Sequence, residues 1–152
     1  MTDRHTNYYY VWRRSDGYVA ASNGRRQSSG TNDTFELLAE GADWEKMRAV
    51  VLIERSNLRV DEAARYSVRL TQTPWRGPWS TAEGAGADSS SWNVDGARLR
   101  PLLWEYASGV HEDLPKGSYF ERAGYKPGTD DFILRGIAPG AEELELVVTA
   151  IA

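Results

Sequence analysis

The spacing of apolar positions along the chain predicts an α+β fold of mostly antiparallel sheet, about seven strands with one or two helices. Tyr8 to Arg14 is rich in aromatic and β-branched residues, the types that suit a pleated surface. Asp16-Gly17 follows, then Tyr18-Val19-Ala20-Ala21-Ser22. An Asp-Gly pair between two such runs signals a hairpin, because both turn positions tolerate positive φ. A two-residue turn puts Tyr8, Tyr10 and Trp12 on one face with Val19 and Ala21, the face expected to be core. A longer loop with a bulge would flip that pairing.

Thr34 to Ala39 reads as a strand ended by Gly41. Asp43 then occupies a helix N-cap position, with Glu45 in the first turn facing the positive end of the dipole. The helix predicted over Trp44 to Ser56 carries Trp44, Met47, Val51 and Val50 on its inner side. Its apolar centre, Ala49 to Ile53, fits either a deeply buried helix or a partial strand, and the cap favours the helix. Asp61 to Arg65 suits a short helical turn. Tyr66, Val68 and Leu70 alternate with Ser67, Arg69 and Thr71, the period of a strand buried on one side.

Thr81 to Ser91 is small and polar and reads as a linker or long loop. The chain, 1–152, is expected to be a single domain of two parts: 1–80, with hairpin, strand, helix and strand, and 92–152, with a helix and a β-hairpin, joined by 81–91. In the second part Asp95 is placed to cap a helix across Leu99, Leu102, Leu103 and Tyr106, with Pro101 in its first turns. Tyr119 to Tyr125 and Phe132 to Ile137 read as strands, Pro139-Gly140 as a turn, and Leu144 to Ala150 as a final alternating strand.

Composition narrows the class. Hydrophobic residues at 41% and charged residues at 26% are those of an ordinary globular chain. The longest apolar run, Ala49 to Ile53, is far short of the roughly 20 residues that cross a bilayer. Cysteine is absent, which excludes disulfides, thiolate nucleophiles and thiolate metal sites. Met1 to Asn7 is polar and lacks the apolar centre of a secretory signal, so a cytoplasmic setting is expected. The net charge of −4 is uneven: residues 1–80 carry 12 Lys and Arg against 10 Asp and Glu, and residues 81–152 carry 6 against 12. The acidic total counts against a general nucleic-acid backbone binder.

Two places have the chemistry of a contact surface. Trp75, Arg76 and Trp79 lie within two Pro-Trp steps, where exposed indoles could anchor a partner. The arginines Arg13, Arg14, Arg25 and Arg26 interleave with Tyr8 to Tyr10 and Trp12 at the N-terminal hairpin. His111-Glu112-Asp113 has metal-compatible side chains, but consecutive residues do not converge on one ion, so no metal site is expected. Thr129-Asp130-Asp131 lacks the spaced oxygens of a calcium loop. Gly84-Ala85-Gly86-Ala87-Asp88-Ser89 begins like a dinucleotide fingerprint, but its sixth position is Ser and no strand–turn–helix surrounds it. No cofactor is expected.

The order Arg13 or Arg14, then Ser80-Thr81, then Glu143-Leu144-Glu145 resembles the motif order of arginine-type ADP-ribosyltransferases, with Ala82 where the family's third motif residue is Ser. The resemblance implies that Arg13 and Ser80 hold NAD and that Glu145 stabilises the developing cation. Glu143 and Glu145 are equally the outward positions of a strand. The leading expectation is a non-catalytic interaction or assembly protein, phage-borne as a virion structural component or accessory protein, acting through a protein partner or self-association. The alternative within the contact class is a small inhibitor or immunity-type protein, whose Glu105, Glu112, Asp113, Asp130, Asp131 and Glu142 cover a basic site on a target.

Overall fold

A computed structural model describes residues 8–23, 35–73, 88–139 and 142–151. Eight strands and two helices occur among them, in the order β1 (Tyr9–Arg14), β2 (Val19–Asn23), β3 (Phe35–Gly41), α1 (Trp44–Arg55), β4 (Arg65–Thr73), β5 (Asp88–Asp95), α2 (Gly96–Ala107), β6 (Tyr119–Tyr125), β7 (Phe132–Ala138) and β8 (Glu142–Ala150). The strands make two antiparallel sheets, a small one ordered β2-β1-β3 and a large one ordered β5-β4-β8-β7-β6. The fold is therefore α+β with mostly antiparallel sheet. The large sheet takes β4 from the N-terminal part and pairs it with β5 and β8.

The helices cover one face of the large sheet. Leu99, Leu103 and Tyr106 of α2 and Ala49 and Ile53 of α1 join Val68, Leu70, Phe120, Phe132, Leu134, Leu144, Leu146 and Val148 in one buried cluster. Full burial of such side chains is worth about 1.5–3 kcal/mol each. A second, smaller cluster joins Met47 and Val50 of α1 to Val11 and Val19 of the small sheet. Helix α1 thus lies between two sheets, with Ala49, Val50 and Ile53 buried against them and Val51 and Leu52 half-buried. Gly136 marks the closest strand approach: a Cβ there would meet the Tyr119 carbonyl oxygen at 2.2 Å.

Asp43 caps α1 as expected, accepting from the backbone of Glu45 at 3.0 Å and of Lys46 at 3.4 Å. Its inner side differs from the expectation. Met47 and Val50 are buried, but Trp44 is 44% exposed and packs at a tilt against Tyr9, Val51 is half-buried, and Ala49, Ile53 and Glu54 complete the buried face. Asp95 stands at the N-cap of α2 without making the side-chain cap, because its carboxylate pairs with Arg65 at 3.3 Å. Pro101 lies inside α2. The expected loop over 81–91 ends sooner, since β5 begins at Asp88 and pairs with β4 through residues 88–91.

The largest correction concerns the first hairpin. Gly17 N–H donates to the Arg14 carbonyl and Arg14 N–H to the Tyr18 carbonyl, with Gly17 at φ +93°. That is a three-residue loop closed by a left-handed glycine. Val11 therefore pairs with Ala21 and Arg13 with Val19, one position away from a two-residue turn. A one-residue slip exchanges the faces. Val11 and Val19 turn toward α1, and Tyr8, Tyr10 and Trp12 turn outward.

Candidate functional site

The outward face of the small sheet is where the hairpin slip has its consequence. Along β1, Tyr10, Trp12 and Arg14 alternate with the inward Val11 and Arg13, and Tyr8 continues the row ahead of the strand. Across the sheet Trp12 lies opposite Ala20 on β2 and Leu37 on β3, while Arg14 lies opposite Phe35. Successive rings touch: Tyr8 to Tyr10 at 5.2 Å between centroids, Tyr10 to Trp12 at 6.1 Å and Trp12 to Phe35 at 6.4 Å. Tyr10, Trp12 and Phe35 are half-buried, and Tyr8, Tyr18 and Leu37 are exposed. The small Ala20 beside Trp12 leaves a groove of about 250 Å³ between Trp12, Tyr18 and Phe35.

Polar contacts fix this row. Trp12 Nε1 donates to Ser22 Oγ at 3.2 Å, and Tyr8 Oη donates to Glu40 Oε1 at 3.1 Å. Arg14 Nε donates to Asp16 Oδ1 at 2.9 Å, and Asp16 also accepts from Tyr18 N–H at 3.0 Å. The Arg14 guanidinium, then the Tyr18 amide, hold the Asp16 carboxyl down at about 2. Tyr18 lies between the guanidinium groups of Arg14 at 5.2 Å and Arg55 at 5.5 Å. The face thus presents rigid aromatic area with fixed polar edges, the combination that anchors protein contacts.

Arg13 goes the other way. Its Nη2 donates at 2.7 Å to Glu54, which is buried in α1 and also accepts from Arg100 Nη1 at 2.6 Å and Trp104 Nε1 at 3.1 Å. One carboxylate thereby joins β1, α1 and α2. The sequence signal for this residue is only its place on the helix, since positions 47, 50 and 54 share one side of α1.

Of the motif Arg13, Ser80 and Glu145, the structure does not bring Arg13 and Glu145 together. Arg13 points into the helix layer from the small sheet. Glu145 lies between buried Leu144 and Leu146, on the helix-free face of the large sheet, accepting from Arg135 at 3.2 Å. Trp75, Arg76, Trp79, Ser80, Arg25 and Arg26 lie outside the described residues. Among the acidic positions, Asp113 accepts from the buried Tyr106 hydroxyl at 2.7 Å and Asp130 lies 3.8 Å from Arg59. His111 stacks on the Tyr106 ring at 4.0 Å and accepts from Asp113 N–H at 3.0 Å. Burial, then the Asp113 carboxylate, pushes the Tyr106 hydroxyl well above its ordinary value. These residues form a turn closed over Tyr106, and no group of three or more His, Asp or Glu among the described residues is placed to hold a metal ion. No helix among the described residues is long and apolar enough to cross a membrane.

No protein-family model, curated protein or solved structure matches the chain.

Proposed function

We propose that this protein works by protein–protein contact, with the outward face of the small sheet as its docking surface. The observation that carries the reading is the continuous row of Tyr8, Tyr10, Trp12 and Phe35 rings on a sheet face turned away from α1. Tyr and Trp supply large contact area at low cost in side-chain freedom and dominate contact energetics. Three strands spaced about 4.8 Å apart, with about 3.4 Å per residue, give this face roughly 300 Å². A standard interface takes about 800 Å² from each partner, so two copies locked face to face here would fall short of a stable dimer. The occupant that suits the area is a foreign protein segment held in a transient contact.

The test is to pan a random peptide library against the immobilised full chain, then measure the recovered binders on the Tyr10→Ala, Trp12→Ala double variant. Expected is at least about a tenfold loss of affinity, with a melting temperature within a few degrees of the parent. Equal affinity for the variant, or a variant that no longer folds, would overturn the reading.

A further inference from the structure

A second surface, independent of the aromatic face, lies where α1 runs beside the free edge of β6. This strand closes one side of the large sheet and pairs only with β7 among the described strands. Between it and α1 opens a groove of about 580 Å³, within the roughly 300–1,000 Å³ of ligand sites. Val51 and Leu52 from α1 and Ala123 from β6 give it an apolar lining, flanked by Arg48 and Arg55 on the helix side and Arg122 on the strand side. Positions 48, 51, 52 and 55 share one helix face, so α1 supplies apolar surface and two guanidinium groups together. Glu121 is the single acid in the lining.

The three cations are held differently. Arg48 donates to the Phe120 carbonyl at 2.9 Å and to Glu45 at 3.2 Å, with its guanidinium 4.2 Å from the centroid of the Tyr119 ring. Arg55 donates to the Val19 carbonyl at 2.9 Å, an uncharged partner. Arg122 makes no ion pair or hydrogen bond among the described residues. It also lies directly opposite Arg135, whose carboxylate partner is Glu145. Like charges directly opposite on neighbouring strands are destabilising. The groove lining itself carries three guanidinium groups against one carboxylate.

We infer that this groove takes an extended acidic peptide segment of a partner protein, added as a sixth strand on β6. A free strand edge offers main-chain hydrogen bonds that only another strand can use. Alternate side chains of that strand turn into the groove over Val51, Leu52 and Ala123, and the carboxylates between them, on the opposite face, meet Arg122. Arg48, seated on the Phe120 carbonyl, occupies one acceptor of the edge, so pairing starts beyond it. A phosphate backbone would meet the repulsion of a chain with net charge −4.

Fluorescence anisotropy with a labelled Glu-Val-Glu-Val-Glu-Val peptide and the full chain tests this. Expected is saturable binding that weakens severalfold as salt is raised. It should fall at least about tenfold for Arg122→Glu, less for Arg122→Gln, and about tenfold for a backbone N-methylated peptide. Both variants leave an exposed position without internal partners, and circular dichroism checks that they fold. Equal binding of the Lys-for-Glu peptide, no loss on N-methylation, tighter binding of a single-stranded oligonucleotide, or no binding at millimolar peptide would each overturn the assignment.

Discussion

The two sheets use their apolar residues in opposite ways. In the large sheet Val68, Leu70, Phe120, Phe132, Leu134, Leu144, Leu146 and Val148 are all at most 3% exposed and face the helices. Its other face is mixed, with Ser67, Arg69, Thr71, Arg135 and Glu145 beside the part-exposed Ile133, Ile137 and Val147. In the small sheet only Val11 and Val19 are buried among the strand residues, and the rings of Tyr10, Trp12 and Phe35 stand half-buried on the side away from α1. The alternation of the large sheet serves its core. The alternation of the small sheet places most of its apolar area where folding gains least from it, and that difference is the physical ground for reading the outer face as a contact surface.

Substitutions can break this contrast or sharpen it. Phe132→Ala removes a ring from the large core and is expected to cost about 3–5 kcal/mol, read from the chemical-denaturation midpoint. A cost near zero would mean that the large sheet is not the stabilising one. Glu54→Gln leaves Arg13 and Arg100 without their shared carboxylate and is expected to cost about 3 kcal/mol. A surface-sized loss would show that the two layers are joined by packing alone. The Tyr10→Ala, Trp12→Ala variant used for binding should lose less than either, about 1 kcal/mol in the same assay, because both rings are half-buried and face away from the cluster on α1.

The smallest effect is that of Asp16. Its folded carboxyl sits at about 2, against about 3.9 in an unfolded chain. A depressed carboxylate contributes stability above the unfolded value, and that contribution is lost as pH falls from about 4 through about 2. The amide resonance of Tyr18, which donates to this carboxylate, should titrate with a midpoint of about 2. A midpoint near 4 would mean that the loop is not held by Arg14.

Most elements were legible because their signals are local. The cap at Asp43, the alternation from Tyr66 to Leu70 and the strands at Tyr119 and Phe132 each depend on a few neighbouring residues. The outer aromatic face was not legible, because Asp16-Gly17 serves either a two-residue or a three-residue loop and the choice decides which side chains of β1 share the inward face of Val19 and Ala21. Both loops give Gly17 a positive φ, here +93°; the longer one is selected because Asp16 keeps a negative φ, which a two-residue type I′ turn does not allow. Glu54 was missed for a different reason. A charged residue on an apolar helix face reads as exposed until its partners, 41 and 46 residues away, come within 3 Å. The groove on β6 depends on which strand ends the sheet, a property of strand order that pairwise sequence patterns do not carry.

The Glu54 junction also bears on the order in which the protein opens. Among the described residues the small sheet meets the helices through the cluster of Val11, Val19, Met47 and Val50 with its half-buried neighbours, the Tyr9–Trp44 contact, the Arg55 bond to the Val19 carbonyl and this carboxylate, whereas the large sheet and α2 share a larger apolar cluster. Regions with few buried contacts exchange their amide hydrogens through low-energy openings. The amides of β1 and β2 therefore exchange ahead of those of β4, β7 and β8, as a separate cooperative unit. A partner that grips the aromatic face slows exchange in that unit first, so its arrival registers as a change in local opening while the global unfolding free energy stays nearly constant.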